Sequence, residues 1–143
     1  MPDILHDFPI AAPIERVFDA VATPGGLACW WAAGATGTPA LGEIYDLDFG
    51  PGYQWRARVT ELDRPARIEW SLTQADADWT GTRVALRLAP RGDLTQVEFR
   101  HLGWPEANAH FRTSSYCWAM YLRLLKRYLE VGEVVPYPRR LDV

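Results

Sequence analysis

From Tyr45 to His101 the chain alternates apolar and polar residues with period two, broken only at turns. Tyr45, Leu47 and Phe49 alternate with Asp46 and Asp48, and Gly50-Pro51-Gly52 turns the chain. Trp55, Ala57 and Val59 alternate with Arg56, Arg58 and Thr60, up to the turn at Asp63-Arg64-Pro65. Ile68, Trp70 and Leu72 alternate with Arg67, Glu69 and Ser71, and a polar loop, Gln74 to Gly81, follows. Val84, Leu86 and Leu88 form the next apolar row. After the turn Pro90-Arg91-Gly92-Asp93 the last row is Val97, Phe99 and His101. Period two with one polar face predicts half-buried strands, and short connections make sequential neighbours antiparallel. The pattern is therefore a meander over residues 44–102.

A different period follows. Over Glu106 to Glu130, at 100° per residue, Phe111, Ser114, Ser115, Trp118, Tyr121, Leu122, Leu125, Tyr128 and Leu129 share one face. Arg112, Arg123, Lys126, Arg127 and Glu130 share the other. Pro105 and Glu106 suit a first turn and Gly132 a stop. This is the one helix long enough to cover the meander. Its second half is Leu-rich, whereas its first half carries an aromatic and two hydroxyls, which suits a lid over a partly hollow interior. Ahead of the meander, Ile4 to Ala11 reads as a strand, with Ile4, His6, Phe8 and Ile10 on one face. Pro13 opens a short helix with Val17, Phe18 and Val21 as its apolar face. Thr23-Pro24 opens a second, running to about Trp31. Ala32 to Leu41 reads as a loop, and the tail, 133–143, as irregular chain. The class is α+β, in a single domain.

Composition narrows the function. The 143 residues carry a net charge of −3, so nothing draws the chain to nucleic acid or an anionic membrane. Fourteen of the 15 basic residues are Arg, since Lys126 is the one lysine. Those on the outer sheet face oppose Asp46, Asp48, Glu69 and Glu98, which suits cross-strand pairing on a solvated surface. Cys29 and Cys117 form no CxxC and are expected to be buried free thiols in a reducing compartment, with a single disulfide between them as the alternative. No signal-peptide pattern opens the chain and no apolar run reaches membrane-spanning length, so a cytoplasmic protein is expected. His6, His101 and His110 have no ligand spacing, so no metal or other cofactor is expected.

The excess is aromatic: 7 Trp and 6 Tyr in 143 residues. Large rings need deep burial or a ligand. Candidate ligand-binding residues are Trp30, Trp31, Phe49, Trp55, Trp70, Phe99, His101, Trp104, Phe111, Ser115, Trp118 and Tyr121. Each also has a reading as plain core. His101, on an apolar row, could act as an acid or base near neutral pH, or be a neutral hydrogen-bonded core histidine. Tyr116, Met120 and Leu124 form a secondary apolar strip on the long helix, which suits a homodimer contact.

Several segments in this order resemble one family. Ala12-Pro13-Ile14-Glu15-Arg16-Val17-Phe18 looks like its first-helix opening, and Leu27-Ala28-Cys29-Trp30-Trp31 like its Trp-Trp second helix. Gly42-Glu43 precedes the second strand as its glycine does, and Val59 to Leu62 with Pro65 looks like its strand and turn before the Trp70 strand. Thr95 to Phe99 with His101-Leu102-Gly103-Trp104 looks like its penultimate element. Tyr116-Cys117-Trp118 through Leu125 to Gly132 looks like its closing helix. The chain thus resembles the START / Bet v 1-like (SRPBCC) superfamily, and within it the homologues of the C-terminal domain of the heat-shock-protein-90 ATPase activator. The resemblance implies a helix-grip fold, a meander wrapped around the long C-terminal helix. It also implies a range of activities, since the superfamily holds lipid carriers, hormone-binding proteins and polyketide cyclases. The expectation is a hydrophobic or aromatic small molecule held between sheet and helix. A cyclase-type enzyme using His101, and a protein-interaction module linked to chaperones, are the alternatives.

Overall fold

A computed structural model describes residues 1–143. The chain runs β1 (Ile4–Ile10), α1 (Ile14–Ala22), α2 (Pro24–Trp30), β2 (Gly34–Thr36), β3 (Ile44–Asp48), β4 (Gln54–Asp63), β5 (Arg67–Gln74), β6 (Arg83–Arg91), β7 (Leu94–Leu102) and α3 (Ala109–Val131). A 3-10 helix, Tyr137–Asp142, occupies the tail where irregular chain was expected. The strands form one seven-stranded antiparallel sheet in the order β1-β7-β6-β5-β4-β3-β2. This is the α+β helix-grip architecture. The predicted loop 32–41 contributes one short edge strand, β2, paired to β3.

The sequence rows set the register. Tyr45, Leu47, Ala57, Val59, Ile68, Trp70, Leu72, Val84, Leu86, Leu88, Val97, Phe99 and His101 are all buried. A slip of one residue would have turned every one of them outward. On the outer face the charges pair as the alternation implied: Arg56 with Asp46 at 3.0 Å, Arg83 with Glu69 at 3.5 Å and Arg100 with Asp7 at 2.6 Å.

Helix α3 starts later than Pro105 suggested. Asn108 is its cap, the side-chain oxygen accepting the Phe111 N–H at 2.9 Å, which satisfies one of the free donors of the first turn. Gly132 ends the helix in the left-handed conformation, φ 73°. The Leu-rich half, Leu122, Leu125 and Leu129, is buried in the main core.

The short helices close one end of the sheet. Gly26 lets α2 sit tightly on α1, because a Cβ there would lie 2.5 Å from the Asp19 carbonyl. The Tyr45 hydroxyl donates to the Ala22 carbonyl at 2.6 Å and ties β3 to the end of α1. The tail is strapped back by Arg140. Its buried guanidinium donates to the carbonyls of Ala28 at 2.8 Å, Ala32 at 3.0 Å and Val135 at 2.9 Å. Carbonyls at the end of α2 suit a cation, because the helix dipole is negative there. No helix is long and apolar enough to cross a membrane.

Candidate functional site: an aromatic interior and a slot at its edge

The inner end of β7 puts His101 at the centre of the grip, 0% exposed. Both of its ring nitrogens are engaged. Trp118 Nε1 donates to Nδ1 at 3.1 Å, and Nε2 lies 2.8 Å from Thr82 Oγ1. The Thr82 hydroxyl donates to the Trp79 carbonyl at 2.5 Å, so its oxygen accepts the proton of Nε2. One tautomer satisfies the whole chain: a neutral imidazole with hydrogen on Nε2. Burial, with a smaller contribution from the charge of His110, pushes the His101 pKa down to about 3. A neutral ring with no free nitrogen holds the core together and has no spare lone pair for acid-base chemistry.

Rings fill the space around it. Trp118 lies 4.4 Å from Phe99 and 5.1 Å from Trp31, centroid to centroid, and stacks on Trp79 at 5.6 Å and 24°. Trp79 lies 4.5 Å from His101 and 4.9 Å from Trp55, which continues to Phe49 at 4.7 Å. Trp104 lies 5.0 Å from His101 and 5.4 Å from Phe111. Edge and offset geometries of this kind are the favourable ones for rings.

Trp30 touches the cluster only at its edge, stacked on Trp31 at 6.3 Å and 26°, and Trp70 and Ser115 lie outside it. Trp30 turns to the α1–α2 contact, its Nε1 donating to the Ala20 carbonyl at 2.9 Å. Trp70 packs edge-on against Tyr45 at 5.6 Å, and not against Trp118. Ser115 also faces elsewhere: its carbonyl accepts from His6 Nε2 at 3.2 Å, across to β1. A helix turns by 100° per residue, so it is the neighbouring Ser114 that faces the rings. The two cysteines are free and half-buried rather than fully buried.

The residue that sequence reasoning missed is Trp79. It lies in the polar 74–81 loop, between Asp78 and Thr80, yet is only 7% exposed. The loop folds it inward, where Nε1 donates to Ser114 Oγ at 3.3 Å. Its one signal in the sequence was a tryptophan inside an otherwise polar loop.

The grip is not hollow at its centre. Open space remains at the edge, as a recess of about 170 Å³ between α3 and two indoles. Trp31 and Trp79 form one wall. The other is a ladder along α3: His110, Thr113, Ser114, Cys117, Trp118 and Tyr121. Burial pushes the Tyr121 hydroxyl up to about 12, keeping it protonated, and also raises the Cys117 thiol. A larger recess, about 460 Å³, lies on the far side of α3, between Tyr116, Met120, Arg123, Arg127 and the terminal Val143. The apolar strip expected there is narrower than predicted. Tyr116 is 80% exposed, but Leu124 is buried in the core cluster. No group of three or more His, Cys, Asp or Glu side chains converges to hold a metal.

The architecture has clear relatives among solved structures. The Aha1 dimer from Colwellia psychrerythraea, solved in solution, shares 27% identity over 93% of this chain and 99% of its own, with a TM-score of 0.83. A Staphylococcus saprophyticus protein shares 17% identity over 94% of this chain and 96% of its own, TM-score 0.80. CalU16 from Micromonospora echinospora shares 21% over 98% of this chain and 83% of its own, TM-score 0.74. At these identities the latter two show the fold alone. The curated proteins give no match. The family model for "Activator of Hsp90 ATPase homolog 1-like protein" matches residues 11–130, which takes in both short helices, the meander and nearly all of α3, and the chain therefore belongs to that family.

Proposed function

We propose that the protein binds a small planar, largely neutral molecule in the slot between Trp31, Trp79 and α3. The observation that carries this reading is the size and lining of the slot, about 170 Å³ with two indoles facing a helix. An enclosed apolar cavity of about 150 Å³ takes up benzene, so this volume suits one aromatic ring and is small for a long acyl chain. Indole walls give no counter-charge, so an ion would lose its hydration without a partner there.

Tryptophan emission supplies the test. One-ring aromatics should quench or shift it, while fatty acids and simple anions should not. Cys117→Phe, which fills the slot from α3, should abolish the response. If no ring compound changes the emission and Cys117→Phe behaves as the parent, the slot reading fails. The cyclase alternative has less support, because the one imidazole inside the grip has both nitrogens occupied.

A second reading concerns self-association. The Colwellia protein is described as a dimer, and the outer side of α3 carries the exposed Tyr116 beside Met120 and a recess of about 460 Å³. That face is our candidate for a homodimer contact. Light scattering should show a dimer that Tyr116→Glu converts to monomer. A monomer at high micromolar concentration overturns it.

A further inference from the structure

One end of the slot carries a paired histidine and carboxylate, His110 and Asp78. His110 stands on the first turn of α3 and lines the slot. Its Nδ1 lies 3.1 Å from Asp78 Oδ2, on the same loop that delivers Trp79. Asn108, the cap residue, donates its side-chain N–H to the same oxygen at 3.3 Å. Asp78 is thereby fixed from two sides. The ring plane of His110 is fixed as well, edge-on to Trp104 at 5.5 Å and 83°.

The hydrogen-bond logic follows from the acceptor. A carboxylate only accepts, so in neutral His110 the proton sits on Nδ1 and Nε2 carries a bare lone pair. No protein group donates to that nitrogen. Thr113, Cys117 and Tyr121 also line the slot, with hydroxyl and thiol groups that can donate as well as accept. Trp118 Nε1 is spent on His101, Trp79 Nε1 on Ser114, and Ser114 Oγ accepts that bond. The slot therefore presents apolar faces and, in His110 Nε2, an acceptor that cannot donate, its ring oriented by the Asp78 carboxylate.

We infer that the Asp78–His110 pair makes this a site for a phenol-class ligand, an aromatic ring whose hydroxyl donates to His110 Nε2 while its faces rest on Trp31 and Trp79. This rests on the slot reading above and adds the chemical class. The indoles select a flat ring. The imidazole selects a ring with an acidic O–H over one of the same shape without it, because either ring displaces water from the lone pair and only the O–H replaces the lost hydrogen bond.

The test compares three molecules of one size, phenol, anisole and toluene, titrated into the full chain at pH 8 by NMR. Phenol should bind about tenfold more tightly than the other two, the worth of one good hydrogen bond. His110→Ala should bring phenol down to the level of toluene and leave toluene unchanged. The unmutated protein gives an independent reading, since the His110 Nε2 nitrogen resonance should move with phenol and stay put with toluene. If all three bind equally and the Nε2 resonance never moves, the pair has no such role and the slot stands as a plain apolar site. If none of the three binds, the slot reading falls and this inference with it.

Discussion

Two histidines sit within one aromatic cluster and do opposite things. His101 comes from the inner row of β7 and is fully buried among rings. Its two nitrogens are consumed by Trp118 and Thr82. His110 comes from the first turn of α3, at the edge of the same cluster, and only one of its nitrogens is engaged. A sheet interior satisfies its polar groups because an unpaired one is costly there. The rim, where α3 meets the 74–81 loop, can leave a lone pair uncommitted because water reaches it. Both ring nitrogens are therefore engaged at the centre of the grip, while one is left free at its rim.

The contrast can be broken most forcefully at Trp118. It packs against Phe99, Trp31 and Trp79 and donates to His101, so Trp118→Ala should cost roughly 3–5 kcal/mol in a urea melt. A loss below about 1 kcal/mol would mean that the centre is hollow after all, and the distinction between centre and rim would disappear.

A pH series addresses His101 directly. Its folded pKa lies near 3, below the ordinary value of 6.5. The unfolded chain therefore binds the extra proton first. The stabilisation is complete above about pH 6.5 and is lost as pH falls toward 3. Each unit of displacement is worth about 1.4 kcal/mol, so a few kcal/mol should vanish across that window. Asp48 and Glu130, whose hydrogen bonds hold them below the usual carboxylate range, lose stability in the same direction as pH falls. The informative quantity is thus the difference between the parent and His101→Gln, whose profile should be flatter. Parallel profiles would show that His101 is not held neutral by burial.

A smaller effect tests the hydrogen-bond chain. Thr82→Val keeps the shape but leaves the Nε2 proton of His101 without an acceptor, which should cost about 1–3 kcal/mol. His110→Ala should be the mildest, under about 1 kcal/mol, because its pairing with Asp78 is half-exposed. If thermal melts rank His110→Ala above Thr82→Val, the rim histidine is structural and the comparison is inverted.

The sequence alone determined the register of β3 to β7, the sites of the two short helices, the Gly132 stop and the Leu-rich seal of α3. These follow from local periodicity and from residues with fixed backbone preferences, and both are written in consecutive positions. It also placed part of the ring cluster, because Phe49, Trp55, Phe99 and Trp118 lie on rows whose inward direction was already set, whereas Trp31 and Trp104 lie just past the ends of their elements. Tertiary structure decided the rest. Trp79 has no periodicity to announce it, and only the folding of the 74–81 loop onto α3 brings it to Ser114. Ser114 and Ser115 shared one predicted stripe. Which of them meets the rings and which meets β1 depends on how the helix is rotated on the sheet, a rotation set by packing. The pairing of Asp78 with His110 joins residues 32 apart in sequence. Hydrogen bonds of that kind need two separate elements to be docked before either partner can find the other.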